Sequence, residues 1–208
     1  MKNDVSEERE RAVLELCQRR ETAAAVDAAL KGFGPEIRRF LMGVTGDVNA
    51  ANEIYSIFSE DVWKGLNNFR WESSFRTWAY RLAWHATSRF MRSSAGKKRG
   101  SSELLSSQIP QEQRSATQPW LRTDVKRSFR ELRARLPLGD RVLLILRVDR
   151  KMAWPEIARV MHGDGEALDD GDSARRATAL RQQFQRVKAR LRSLAIEEGL
   201  IPDPRKDD

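Results

Sequence analysis

The chain has 208 residues, of which 33% are charged and 40% hydrophobic, and its mean hydropathy is −0.63. This length allows one medium or two small domains, and the composition excludes a chain built mainly of membrane-spanning segments. Lysine and arginine outnumber the acidic residues by 38 to 30, which gives a formal charge of +8 and a pI near 10.0. The positive excess favours nucleic acid or another anionic surface as the partner.

The cysteine and hydropathy patterns indicate a cytoplasmic location. Cys17 is the only cysteine, so the chain forms no internal disulfide. No apolar run is long enough to span a bilayer, and the charged N-terminus lacks the apolar core of a signal peptide. We therefore expect a cytoplasmic protein without a membrane partner.

The sequence shows no pattern that predicts catalysis. His85 and His162 stand without histidine or cysteine partners at metal-ligand spacing. No phosphate-binding glycine motif appears, and the carboxylates do not form an evident acid–base pair. We expect no metal, no cofactor and no enzymatic activity.

The N-terminal third predicts helices. Residues 5–30 consist mostly of helix formers, and the glycines at positions 32 and 34 predict a break before Pro35, which suits the first turn of a second helix. After Gly46, Asp47 or Asn49 can cap a third helix that runs to about Gly65.

The densest chemistry lies between Phe69 and Arg92. This stretch holds seven of the 16 aromatic residues of the chain and five arginines, against the single acid Glu72. Ser73 or Ser74 can cap a helix that continues to Arg92 without glycine or proline. Because stacking on aromatic rings is worth about 1–3 kcal/mol per base, this mixture suits unpaired nucleic acid.

The two faces of this helix differ in chemistry. At 100° per residue one face is apolar and should be core: Phe75, Trp78, Ala79, Leu82, Ala86 and Phe90. The other is expected to be exposed and to place a tryptophan among cations: Thr77, Arg81, Trp84, Ser88 and Arg92, with His85 and Arg89 beside them. In the alternative, the tryptophans pack internally and the arginines only solvate the helix.

A family resemblance favours the first alternative. Glu53-Ile54, a tryptophan nine residues later, and the run Phe-Arg-x-Glu-Ser-Ser-Phe-Arg-Thr-Trp-x-Tyr-Arg-Leu-Ala from Phe69 resemble the promoter-melting domain of extracytoplasmic-function RNA polymerase sigma factors. The likeness covers roughly Pro35 to Arg92. It implies that the loop from Asn67 receives a base flipped out of the non-template strand.

The resemblance also implies candidate contacts. For the melted element these are Asn67, Phe69, Arg70, Glu72, Thr77, Arg81, Trp84, His85, Ser88, Arg89 and Arg92. For the core polymerase they are Glu53, Ile54, Ser56, Ile57 and Asp61. The chain departs from the family at Ser56, where glutamine is usual, and at His85 and Arg89, where asparagine and aspartate are frequent. These departures predict altered docking chemistry and a different promoter preference.

Residues 93–121 change character. They are rich in serine, carry Gly100, Pro110 and Pro119, and show no sustained period, so we predict a flexible linker. Beyond it, helical spacing of apolar residues resumes, and Pro155 opens a short helix of the type that begins a helix-turn-helix.

A basic helix is predicted from Ala174 to Arg192, with seven basic residues and no acid. Its outward side suits a recognition helix in the major groove: Arg175, Arg176, Thr178, Arg181, Gln182, Gln185 and Arg186. An ordinary basic surface helix is the alternative. The preceding Gly163–Asp172 segment holds five acids and three glycines and predicts a mobile loop. One hypothesis is that its carboxylates shadow the basic helix when DNA is absent.

This second half resembles the sigma domain that reads the upstream promoter element, on the basis of Glu156-Ile157-Ala158 and the Arg-x-x-Phe-x-Arg-Val-Lys run from Arg181. We therefore predict an all-α protein with two small helical domains, residues 1–92 and 122–208, joined by the linker. The resemblance implies a sigma factor whose partners are core RNA polymerase, promoter DNA and, as a candidate, an anti-sigma factor. The rivals are a helix-turn-helix regulator acting without polymerase and a helical adaptor for acidic proteins.

Overall fold

The computed structural model describes the backbone of residues 2–93, 119–163 and 170–202. Within these ranges all regular structure is helical and there is no strand, so the predicted all-α fold class is confirmed. The N-terminal helices are α1 (Lys2–Gln18), α2 (Thr22–Thr45), α3 (Val48–Gly65) with a 3₁₀ turn (Leu66–Asn68), and α4 (Phe75–Arg92). The C-terminal helices are α5 (Pro119–Ala134), α6 (Leu138–Leu144) with a π-helical turn (Ile145–Asp149), α7 (Trp154–Val160) and α8 (Asp170–Glu197).

Two predicted segments lie wholly or partly outside this description. Nearly all of the predicted 93–121 linker falls in residues 94–118, and the middle of the acidic segment falls in residues 164–169. Residues 119–121 and 170–172, at the ends of these segments, are helical instead, and the rest of both predictions stays untested. Among the described residues, no helix combines the length and the apolar character needed to cross a bilayer.

Side-chain caps fix where α3 and α4 begin. The Asp47 carboxylate accepts a hydrogen bond from the Ala50 amide at 2.6 Å, and the Ser74 hydroxyl accepts one from the Thr77 amide at 3.1 Å. Such caps are worth about 1 kcal/mol each because they satisfy amides that have no partner within the helix. The sequence-based start of both helices is confirmed.

The predicted break before Pro35 is wrong, because α2 runs without interruption from Thr22 to Thr45. Proline removes one backbone donor from a helix interior, yet Phe33 and Ile37 on either side of it are buried in the core. Gly34 has a packing role instead of ending a helix. A Cβ atom there would lie 2.3 Å from the Tyr55 hydroxyl oxygen, so glycine permits the close approach of α2 and α3.

One hydrophobic core joins the N-terminal helices to the elements that follow α5. It contains Phe40, Ile54, Phe58 and Tyr80 from α2–α4 together with Leu143, Ile145, Met152 and Ile157 from the C-terminal half. A Cβ atom on Gly43 of α2 would lie 3.3 Å from the Ile145 Cδ1 atom, so the π-helical turn packs directly on α2. The two halves of the described chain therefore bury apolar surface against each other.

Arg141 strengthens this joint from within. Its side chain is only 8% exposed and donates to the carbonyl of Val44 in α2 at 2.7 Å. It also donates to the carbonyls of Ala134 at 2.6 Å and Leu136 at 3.1 Å. Burial lowers the pKa of Arg141, and the three carbonyls satisfy much of the hydrogen-bonding capacity of the buried guanidinium.

Candidate nucleic-acid interface

The N-terminal end of α4 is held by a polar cluster around Arg76. The Arg76 guanidinium donates to the Glu36 Oε1 atom of α2 from Nε at 3.1 Å and from Nη2 at 2.6 Å. The Tyr80 hydroxyl donates to the same oxygen at 2.8 Å. Arg76 Nη2 also lies 3.3 Å from the Arg150 carbonyl, and the Arg76 amide donates to Glu10 of α1 at 3.1 Å.

Burial and charge oppose each other in this cluster. Burial alone would raise the pKa of Glu36, but the hydrogen bond and charge of Arg76, the Tyr80 hydroxyl and the charge of Arg150 outweigh it, so the pKa is lowered. Burial would likewise lower the pKa of Arg76, and Glu36 raises it above its ordinary value. The pair is therefore fully charged at neutral pH and fixes α4 against α2.

An aromatic cluster precedes and opens α4. The Phe69 and Trp78 rings stack with centroids 4.8 Å apart, and Trp71 and Phe75 pack beside them. Trp71 has a φ of 58°, in the left-handed region that tryptophan rarely adopts. The rings of Phe69, Trp71 and Trp78 are half-buried at the edge of the core. These rings are therefore neither fully buried in the core nor fully exposed to solvent.

The loop before α4 carries the polar residues predicted to hold a flipped base. Asn67, Arg70 and Glu72 are exposed. The Thr22 hydroxyl lies 2.9 Å from the Asn67 Oδ1 atom, and Arg70 lies 3.9 Å from Glu72. This loop is thus open to solvent on its polar side and backed by the aromatic cluster.

The burial of the apolar face of α4 agrees closely with the prediction, whereas the burial of the opposite face does not. Phe75, Ala79, Ala86 and Phe90 are buried, and Trp78 and Leu82 are half-buried. Thr77 was expected to be exposed, but it is 2% exposed, and its hydroxyl donates to Glu156 Oε1 of α7 at 3.3 Å. The predicted exposure of Thr77 is wrong because α7 covers this part of α4.

A second contact fixes the other end of α7 on α4. The His85 Nε2 atom lies 3.0 Å from the His162 carbonyl oxygen, just beyond α7. Between Thr77 and His85, Arg81 and Trp84 are half-buried, and Trp84 packs against the shared core. Further along α4, Ser88 is half-buried, whereas Arg89 and Arg92 are exposed. The contacts from α7 and the residues just after it are therefore confined to the first half of the predicted strand-binding face of α4.

The predicted polymerase surface on α3 is only partly open. Ile54 is 0% exposed and lies in the core, so the expectation that it contacts a partner conflicts with its position. Glu53 and Ser56 are exposed and Ile57 is half-buried. Asp61 forms an ion pair with Arg89 of α4, which links this surface to the strand-binding one.

Sequence reasoning used Trp63 in the family motif but left it out of the predicted polymerase contacts. Its side chain is 55% exposed on α3, one and two turns beyond Glu60 and Ser56 on the same side of the helix. An exposed indole on a helix whose other large apolar residues are buried or half-buried indicates a contact surface. Its departure from the apolar period of α3 was the available signal.

All seven residues predicted to face duplex DNA on α8 are exposed: Arg175, Arg176, Thr178, Arg181, Gln182, Gln185 and Arg186. Leu180 and Val187 on the opposite side are buried, and Phe184 packs edge-on against Trp154 of α7 with centroids 5.6 Å apart. Helices α7 and α8 therefore pack as a pair that leaves the basic side outward.

The N-terminal half of this arrangement matches a known family. Residues 30–96 match the family model of Sigma-70 region 2. The match spans most of α2 and all of α3 and α4. It supports the assignment of the chain to the sigma-70 family. No curated protein matches the chain.

Region 2 indicates a sigma-factor-like function in transcription initiation, and this region in general binds core RNA polymerase and promoter DNA. The family consists of non-enzymatic initiation factors, which agrees with the predicted lack of catalysis. Within the described ranges, no three histidine, cysteine, aspartate or glutamate side chains converge as a metal site.

Proposed function

We propose that the chain is an RNA polymerase sigma factor of the extracytoplasmic-function type, which directs promoter recognition and strand opening in the cytoplasm. The observation that carries this proposal is the region 2 match over residues 30–96, in the segment where α4 combines aromatic rings with guanidinium groups. Phe69, Arg81 and Trp84 would hold separated strands by stacking and by phosphate contacts.

The C-terminal half would act as the second promoter-binding domain. In this proposal α7 and α8 form a helix-turn-helix that spans part of a 122–208 domain, tethered by residues 93–121. The exposed arginines and glutamines of α8 suit phosphates and base edges of an upstream duplex element. An anti-sigma factor would be a further partner of such a protein.

On the polymerase side, α3 would supply the docking surface. Glu53, Ser56 and Trp63 are its exposed members, and Ile57 lies at its margin. A tryptophan surrounded by polar groups is the residue type that most often anchors a protein interface. Asp61, through its ion pair with Arg89, would couple docking to the position of α4.

Capture of core polymerase from a lysate followed by run-off transcription tests the proposal. A sigma factor binds the core and makes transcription depend on its presence. Trp84→Ala should impair open-complex formation more than duplex binding, because stacking acts only on separated strands. Transcription that does not require the protein would contradict the proposal.

The exposed face of α8 also suits a duplex-binding regulator that acts without polymerase. The same experiment separates the two functions, because such a regulator would bind duplex DNA without retaining core polymerase. A helical adaptor for acidic proteins would do neither.

A further inference from the structure

We propose that the turn between α1 and α2 is a further binding site for single-stranded DNA, at which Arg19 and Arg20 bind phosphates of the strand whose base enters the loop from Asn67. The inference rests on the proposed function of that loop and of α4, and it adds a contact surface to them. The turn lies outside the region 2 match, which begins at residue 30. The site therefore belongs to the part of the chain that precedes the matched region.

A hydrogen bond places the turn beside the loop. Helix α1 ends at Gln18 and α2 begins at Thr22, and the Thr22 hydroxyl donates to the Asn67 Oδ1 atom at 2.9 Å. Arg20 is two residues before Thr22, so the Cα atoms of these two residues are no more than about 7.6 Å apart. The long aliphatic stem of an arginine spans a comparable distance. A guanidinium on the turn can therefore reach a strand that passes Asn67.

The backbone of the turn is strained at Arg20. Its φ is 59°, in the left-handed region, and it follows α1 at the position where helices commonly end on glycine. The Arg20 amide donates to the Cys17 carbonyl at 3.0 Å, and the Glu21 amide donates to the Leu16 carbonyl at 3.0 Å. These are the two bonds of a Schellman motif, which glycine would close without strain. An arginine at this position indicates that its side chain has a use beyond ending the helix.

Helix α1 holds the turn in a fixed position. Val13 of α1 is 0% exposed and lies in the core. The Arg9 guanidinium donates to the Gly32 carbonyl of α2 at 2.9 Å, and Glu10 accepts a hydrogen bond from the Arg76 amide of α4 at 3.1 Å. Because α1 is bonded to both helices, the cations of the turn are positioned beside the loop before DNA binds. This arrangement lowers the entropy cost of binding.

The charges around Asn67 suit the phosphates of a strand. Arg19 and Arg20 are exposed, and within the described ranges neither side chain forms an ion pair or a hydrogen bond. Glu21 is the acid of the turn, so two cations face one anion there, and Arg70 is exposed in the loop itself. Cations therefore lie on the turn and on the loop. The turn has no aromatic ring on which a base could stack, so phosphates are the ligands that it suits.

Removal of both cations tests the site. Arg19→Ala combined with Arg20→Ala is compared, in the full chain, with Arg11→Ala combined with Arg39→Ala, which changes the net charge equally. Arg11 and Arg39 are exposed on α1 and α2, and each lies about 12 Å or more from the turn along its helix. The probe is a mixed-sequence single strand of about 12 nucleotides. Fluorescence anisotropy measures its affinity over a range of salt concentrations.

The variant of the turn should bind the single strand about 10-fold more weakly in low salt. The slope of log affinity against log salt should fall by about 1.4, because each lost phosphate contact removes about 0.7. The control variant should lose less than about twofold, since its cations lie beyond the screening length from the turn. A duplex of the same sequence should also lose less than about twofold in the variant of the turn. Equal losses in the two variants, or equal losses for strand and duplex, would overturn the inference.

Arg20→Gly separates binding from folding. Glycine adopts the left-handed conformation without strain, so this variant should melt no lower than wild type and yet bind the single strand about threefold more weakly. Arg20→Lys keeps the charge and should retain the salt dependence of wild type. Unchanged single-strand affinity in Arg20→Gly would contradict a role for this side chain in binding.

Failure of the turn site is distinguishable from failure of the proposed function. If the variant of the turn bound the single strand like the control while run-off transcription still required the wild-type protein, the turn site would be refuted and the sigma assignment would stand. If the wild-type protein itself failed to support run-off transcription, the proposed function would fall.

Discussion

The α4 and α8 faces carry similar chemistry but differ in how much of each the chain itself occupies. On α4, Thr77 is buried under α7 and Trp84 is half-buried. On α8, every predicted contact is exposed. Arginines and polar groups on a helix therefore do not by themselves indicate an accessible binding face, because the rest of the fold decides which face is open at rest.

Weakening the contact between the two halves should have the largest effect on this difference in exposure between the α4 and α8 faces. In Arg141→Ala, the carbonyls of Val44, Ala134 and Leu136 lose a buried charged donor, and we expect the free energy of unfolding to fall by about 3–4 kcal/mol. Urea denaturation measures the loss. Arg135→Ala, which removes an exposed guanidinium paired with Glu198, should cost less than about 1 kcal/mol. Equal losses of unfolding free energy in Arg141→Ala and Arg135→Ala would contradict the role of Arg141 in holding the two halves together.

The open face can be disabled separately. Arg181→Ala combined with Arg186→Ala should weaken binding of an upstream duplex by about 3 kcal/mol at most and reduce its salt dependence, because both arginines are exposed on α8. Footprinting and salt titration measure the effect. Arg192→Ala, also exposed on α8 but outside the predicted set, is the control. An unchanged upstream footprint would contradict the recognition-helix prediction.

The anchor of the covered face can be loosened by pH. Glu36→Gln should lower stability at neutral pH by about 2 kcal/mol, because Arg76 and Tyr80 then lose a charged acceptor. The folded-state pKa of Glu36 is below its ordinary value of 4.5, so its contribution is complete above that value and is lost as pH falls through the lower one. The stability difference should therefore shrink in acid.

The stability difference between wild type and Glu36→Gln is measured by thermal denaturation at a series of pH values from neutral into acid. Glu60→Gln, on an exposed side chain paired with Lys64, provides the matched control and should change stability little at any pH. A difference between wild type and Glu36→Gln that stayed constant from pH 7 into acid would contradict the assigned pKa direction.

A substitution on α3, away from the proposed DNA-binding faces of α4 and α8, should have the smallest effect of the four. Trp63→Ala should weaken binding to core polymerase by about 1–2 kcal/mol while changing unfolding by no more than about 0.5 kcal/mol, because the indole is 55% exposed. Biolayer interferometry against the core measures binding. Phe129→Ala, at a similarly exposed aromatic of α5, should leave it unchanged. Equal losses would remove Trp63 from the docking surface.

Local signals in the sequence predicted the local structure. Asp47 and Ser74 identified the starts of α3 and α4, because a side-chain cap acts within three residues of its partner. The apolar period of α4 identified Phe75, Ala79 and Phe90 as core, because one helix face was already buried by its neighbours along the chain.

The site depended on contacts that local patterns do not encode. Thr77 meets Glu156, 79 residues away, so no helical period could predict that its side of α4 is covered. Gly34 looked like a helix breaker in the sequence because its tight packing partner, Tyr55, lies on another helix. Arg89 was predicted to contact the melted element and Asp61 to contact the polymerase, and only the fold pairs the two side chains. Such pairings follow from tertiary packing alone.

Arg76 has one more consequence, for how the protein melts. Its amide engages α1 through Glu10, its guanidinium engages α2 through Glu36, and it reaches the carbonyl of Arg150 beyond the π-helical turn. Helices that share such a residue lose their contacts together. Calorimetry should accordingly record a single endotherm for these helices, with van't Hoff and calorimetric enthalpies in agreement.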